Sequence, residues 1–180
     1  MIAVLMLVLI AACGGASVAS GAQPVGDSLV PDPVGGGSSA RFLGGGTVTY
    51  GIVVLNLAEG ASPIKVTGVH LVHAKRMKII GTRLAGPHRP TYQFTAARRF
   101  PPRINKKSVP AIGATITQAK RGWEMLIGLR VAATGGRAVL RGVRVSYRTV
   151  GHRKVEQQTL HGTFLVCTRK SQLDSEGVCR

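Results

Sequence analysis

The side chains in this sequence with the most chemistry to offer are cations. Arg98-Arg99-Phe100-Pro101-Pro102-Arg103-Ile104-Asn105-Lys106-Lys107 places five of them, Arg98, Arg99, Arg103, Lys106 and Lys107, within ten positions. Guanidinium forks and ammonium groups grip phosphates and carboxylates, and the paired prolines hold the stretch as a loop. Lys120-Arg121 could join it across the surface. The chemistry would be noncovalent contact with an anionic polymer, an anionic lipid or a protein partner. The competing reading is a solvated loop that keeps the protein in solution.

Covalent chemistry has little to work with. From position 47 onward the acids are Glu59, Glu124, Glu156, Asp174 and Glu176. A paired-carboxylate mechanism would need two of them to converge in a cleft, and nothing in their spacing suggests it. No Gly-x-Ser-x-Gly elbow, His-Glu-x-x-His, phosphate-loop Gly-Lys-Ser/Thr or Gly-x-Gly-x-x-Gly occurs. His70, His73 and Met77 suggest copper or zinc. On a regular strand, however, positions 70 and 73 face opposite ways and share an ion only across a bulge. His88, His152 and His161 have no carboxylate or cysteine close in sequence. The expectation is a chain with no catalytic residues, no metal and no cofactor. An envelope enzyme is the alternative, and it would need a cleft with converging acidic or histidine side chains.

Residues 1–12, MIAVLMLVLIAA, carry no charge and are too short to span a bilayer, which takes about 20 apolar residues. They end in small residues, as a secretory signal does. Ile10-Ala11-Ala12-Cys13 resembles the lipobox of bacterial lipoproteins. The resemblance implies that the Cys13 sulfur receives a diacylglyceryl group and that cleavage follows Ala12. Two or more acyl chains would then hold the protein stably at a membrane. A competing cleavage after Ser20-Gly21-Ala22 would release a soluble secreted binding domain without Cys13. Assigning Cys13 to lipid leaves Cys167 and Cys179, an even pair around the polar loop TRKSQLDSEGV. A bond between them would remove about 3 kcal/mol of unfolded-state entropy in the chain model, whereas the other reading is two unrelated buried thiols.

These groups need elements to position them. Of the 33 residues from Gly14 to Gly46, 22 are Gly, Ser, Pro or Ala. Positions 13–46 therefore read as a lipidated cysteine and a flexible tether, reaching about 30 Å as a coil. A strand leaning on the domain is plausible only for Arg41-Phe42-Leu43. The tether holds one Arg and two Asp, so 23 bases and 5 acids remain on positions 47–180, giving that region +18 against an overall +17. Nonspecific nucleic-acid binding would follow from that charge and fade steeply with salt. Eight aromatics, mostly in apolar-phase strands, leave few stacking platforms for a specific reader.

Period-two alternation dominates the domain. Trp123, Met125, Ile127, Leu129 and Val131 share one phase, which puts Glu124 on the face away from the core. Val48, Tyr50, Ile52 and Val54 alternate likewise. So do Val143, Val145 and Tyr147, with Arg144 and Arg148 pointing to solvent. Further strands are expected over 63–73, 77–85, 91–95, 109–118 and 155–167, with bulges at Gly68 and Gly142. Gly135-Gly136 and 150–153 read as hairpin turns. A helix over 115–123 (TITQAKRGW) competes with the strand reading there. Seven or eight short strands at this spacing predict an all-β, antiparallel, immunoglobulin-like β-sandwich. The Cys–Trp–Cys spacing of antibody domains is absent, so the likeness is one of architecture.

Overall fold

A computed structural model describes residues 28–31, 37–87, 94–103, 107–134 and 136–179. The signal segment, Cys13, His88 and Lys106 lie outside the described residues. The strands are β1 (Leu29–Pro31), β2 (Gly37–Arg41), β3 (Gly46–Leu57), β4 (Ile64–Val72), β5 (Met77–Ala85) and β6 (Phe94–Ala97). They continue with β7 (Val109–Pro110), β8 (Thr115–Ile116), β9 (Trp123–Val131), β10 (Ala138–Thr149) and β11 (Glu156–Cys167).

Two sheets face each other. The first runs β1-β3-β9-β5-β7, with β6 pairing the other half of the β3 edge. The second runs β2-β11-β10-β4-β8. The N-terminal strand is divided between them: β1 lies antiparallel to β3, and β2 runs parallel to β11. This division, with β3, β9 and β5 in one sheet and β11, β10 and β4 in the other, is the immunoglobulin-like arrangement. The sandwich expected from the alternation is therefore the fold.

The core is built from the predicted phases. Trp123, Met125, Ile127, Leu129 and Val131 all point inward from β9, against Val143, Val145 and Tyr147 of β10. Tyr50 of β3 stacks on Phe164 of β11, with centroids 4.6 Å apart, which ties the two sheets together. Burial pushes the Tyr50 phenol up. The unfolded chain would release that proton near pH 10 while the folded one keeps it, so stability falls as pH rises above about 10. Melting curves should decline more steeply over that range for the wild type than for Tyr50→Phe; parallel declines would remove Tyr50 from the alkaline dependence.

Several expectations need correction. Positions 13–46 are not all tether, because β1 and β2 fall within them and Leu29 and Phe42 are core residues. Sequence composition undervalued them because the strands they pair with, β3 and β11, lie far from them or beyond a turn in the chain, so no local signal marks the pairing. Gly136 does not close a hairpin: β9 and β10 belong to different sheets, and the 132–137 connection crosses between them. The phase of β3 shifts between Tyr50 and Val53, so Val53 and Leu55, rather than the even-numbered positions, continue the core face. The expected strand 109–118 is split into β7 and β8 on different sheets, and the 115–123 helix does not form. Instead a turn at 119–122 closes with Gly122 at φ +66. Among the described residues there are eleven strands rather than seven or eight, the surplus being two- to five-residue edge pieces. The bulges stand, one beside Gly68 and one beside Gly142.

Candidate functional site

The basic loop is a strap fixed across the outer face of the first sheet. β6 pairs with β3 at one edge, and β7 pairs with β5 at the other. The chain between them must cross β3, β9 and β5 to connect the two. At its start the Thr49 hydroxyl donates to the Arg99 carbonyl. Midway the Phe100 ring lies on Gly81 and Gly128, where Cβ atoms would sit 2.6 and 2.4 Å from ring carbons. Only glycine leaves that space on both strands. Pro102 is buried two residues further on, and at the far end Arg83 Nε donates to Ser108 Oγ at 2.8 Å, with its Nη2 donating to the Ser108 carbonyl.

The anchored backbone holds its cations outward. Arg98, Arg99, Arg103 and Lys107 are all exposed, and the Arg98 guanidinium lies 5.6 Å from the centroid of the Phe42 ring. The strap thus presents charge from a packed base, which lowers the ordering entropy that a loose loop would lose on binding. Lys120 and Arg121 flank the turn before β9, with Arg121 exposed.

Glu124 is on the outer face by phase, as expected, yet it is 0% exposed, as is Leu126 beside it. Alternation reports two faces of a strand and not what covers the second. The five carboxylates stay dispersed: Glu124 faces outward on β9, Glu156 lies inward at the start of β11, Glu59 is in the β3–β4 turn, and Asp174 and Glu176 are in the C-terminal tail. The histidine reading is equally scattered. His70 is exposed on the outer face of the second sheet, His73 lies in the following turn at φ +48, and Met77 is buried in the core. Among the described residues no cluster of three or more His, Cys, Asp or Glu could hold a metal ion. Also among the described residues, no helix is long and apolar enough to cross a membrane.

Cys167 and Cys179 are disulfide-bonded, with Cα atoms 5.5 Å apart. The closed loop is polar and self-bonded: Gln172 Oε1 accepts from the Thr168 and Arg169 amides, and Asp174 Oδ1 accepts from those of Glu176 and Val178. The bond pins this tail beside the β2–β3 turn, where Gly44 N donates to the Thr168 carbonyl.

A second cationic region escaped the sequence reading. Cross-strand pairs on the outer face of the second sheet align His70 with Arg144 and Lys65 with Arg148. At the end of that face Lys65, Thr67, Ile112, Arg148, Thr149 and His152 line an open groove of about 490 Å³. Its residues come from separate segments of the chain, which only the register of β4 on β10 brings together.

No family model and no curated protein matches the chain. Among solved structures it is similar to the ASH / PapD-like domain of human CEP192 (PapD-like domain 7), at 10% identity and a TM-score of 0.39. That match covers 94% of this chain and 99% of the other.

Proposed function

We propose that this chain is a non-enzymatic, lipid-anchored module of the cell envelope whose sandwich holds an anionic envelope polymer. The observation that carries the reading is the strap: Arg98, Arg99, Arg103 and Lys107 face solvent from a backbone packed onto Gly81 and Gly128. Multivalent cations on a fixed base suit a polymer with repeated negative charges, through charge-assisted hydrogen bonds and counterion release. Dispersal of the carboxylates supports binding over catalysis.

The anchor rests on Ile10-Ala11-Ala12-Cys13. Because β1 begins at Leu29, only residues 14–28 separate a lipidated Cys13 from the sandwich, and fully extended they reach about 50 Å. The disulfide supports an oxidising compartment outside the cytoplasm. A soluble form cut after Ala22 would bind the same polymer without membrane attachment.

Substituting Arg98, Arg99, Arg103, Lys106 and Lys107 with Ser tests the reading. Retention on immobilised polyphosphate at about 150 mM salt should weaken about tenfold or more, with a shallower salt dependence and an unchanged melting transition. Equal retention would leave the strap a merely solvated surface. In the native cells Cys13→Ser should move the protein from the membrane fraction to the medium, and unchanged partitioning with normal processing would contradict lipidation.

A further inference from the structure

The groove on the second sheet lies at the end where the chain enters the sandwich. Successive hydrogen bonds connect the two: Ala58 N donates to the Ser28 carbonyl at the start of β1, Ala61 N to the Ala58 carbonyl, and Val150 N to the Pro63 carbonyl. The groove is therefore at the end of the sandwich where the described chain begins.

Its walls are of two kinds. Lys65 and Arg148, paired across β4 and β10, supply two exposed cations, with His152 beside them. Arg153 and Lys154 continue the charge along the β10–β11 turn, against the exposed acid Glu59 in the β3–β4 turn. Thr67 Oγ1 and Thr149 Oγ1, on residues that line the groove, have no hydrogen-bond partner, although Thr149 is only 8% exposed. Buried hydroxyls left unpaired cost stability and await an acceptor or donor. At the lip stand Ile112 and Val150, 60% and 53% exposed. Single exposed aliphatics are ordinary. Two of them flanking cations and unpaired hydroxyls match a membrane interface, where phosphate lies immediately above hydrocarbon.

We propose that this groove seats the phosphate headgroup of an anionic membrane lipid between Lys65 and Arg148, with Ile112 and Val150 reaching toward the acyl chains. The sandwich then stands on the membrane by the end at which β1 enters, leaving the strap free for polymer. This deepens the reading of an anchored envelope module, yet it is testable without the anchor.

The test uses the mature chain, residues 13–180, with Cys13→Ser, so that no acyl group contributes and every described element is kept. Co-sedimentation at about 150 mM salt should show binding to vesicles containing phosphatidylglycerol and not to phosphatidylcholine alone. Each basic side chain at an anionic surface contributes about a fivefold gain, so Lys65→Gln with Arg148→Gln should weaken partitioning about 30-fold. Ile112→Ser should weaken it about fivefold. Lys75→Gln with Arg137→Gln, an equal charge loss at the opposite end of the sandwich, should cost less than about threefold. Equal losses from both pairs would reduce the effect to net charge and overturn the assignment. So would displacement by millimolar inorganic phosphate at fixed ionic strength, which would mark a free-anion site. Self-association without vesicles that Ile112→Ser abolishes would give the groove to a second copy of the chain. Failure here with Cys13-dependent membrane attachment intact in cells would leave the anchor standing, and the reverse pattern would leave the groove standing.

Discussion

Gly128→Ala is expected to lower unfolding free energy by about 2–3 kcal/mol, close to the upper end for one added methyl group. The new Cβ would sit 2.4 Å from Phe100 Cγ, with the ring held between β9 and β5 by Gly81. It cannot yield sideways, so the strap must lift. A lifted strap gives Arg98, Arg99 and Arg103 the mobility of an ordinary loop. Cleavage by trypsin at those arginines should accelerate under native conditions, ahead of cleavage elsewhere. Phe100→Ala removes the ring and should itself cost about 2 kcal/mol, since the side chain is half-buried. Combined with Gly128→Ala it should cost clearly less than the sum, by more than about 1 kcal/mol, because the methyl group added on β9 fills space the ring vacates. Additive losses in urea denaturation would show that the ring and the glycine do not act on one another.

Cys179→Ser should cost about 3 kcal/mol, the chain-entropy value for a loop of this length. Apart from the bond the loop is held by polar contacts rather than by a core: its 3-10 turn, Lys170–Gln172, buries no residue, and its Arg169, Glu176 and Val178 amides bond side chains at exposed positions. Adding reductant to the wild type should shift the urea midpoint toward that of the variant while leaving the variant unchanged. A difference below about 0.5 kcal/mol would show that the tail folds back without the bond.

Much of the sandwich was legible because its strands carry one strong signal. In the run from Trp123 to Val131 five large apolar groups share one phase, and all five are in the core. Arg144 and Arg148 face outward as their phase requires. Gly68 and Gly142 marked bulges because a missing side chain in a strand accompanies a broken register. What stayed hidden is long-range. The order of β1 and β2 comes from the strands they pair with, and the crossing of 132–137 from one sheet to the other depends on packing that a Gly-Gly dipeptide does not encode.

The candidate site divided along the same line. The five basic residues of the loop stood out as a run, but their fixed base did not, since Gly81 and Gly128 are remote glycines that gain meaning only with Phe100 upon them. The groove had no local signal. Nothing in the sequence joins Lys65, Ile112, Arg148 and His152, and a polar strand residue next to a core position, as Lys65 and Arg148 are, is the commonest pattern in a half-buried sheet.

The strap, the disulfide and the proposed lipid groove form one account only if the protein is exported and acylated. Intact-mass spectrometry of the protein from its native cells tests that most directly. The account predicts a chain that starts at Cys13 with the mass of a diacylglyceryl group added and two hydrogens lost to the Cys167–Cys179 bond. A chain that retains Met1 and reacts at all three cysteines with a thiol reagent would contradict it.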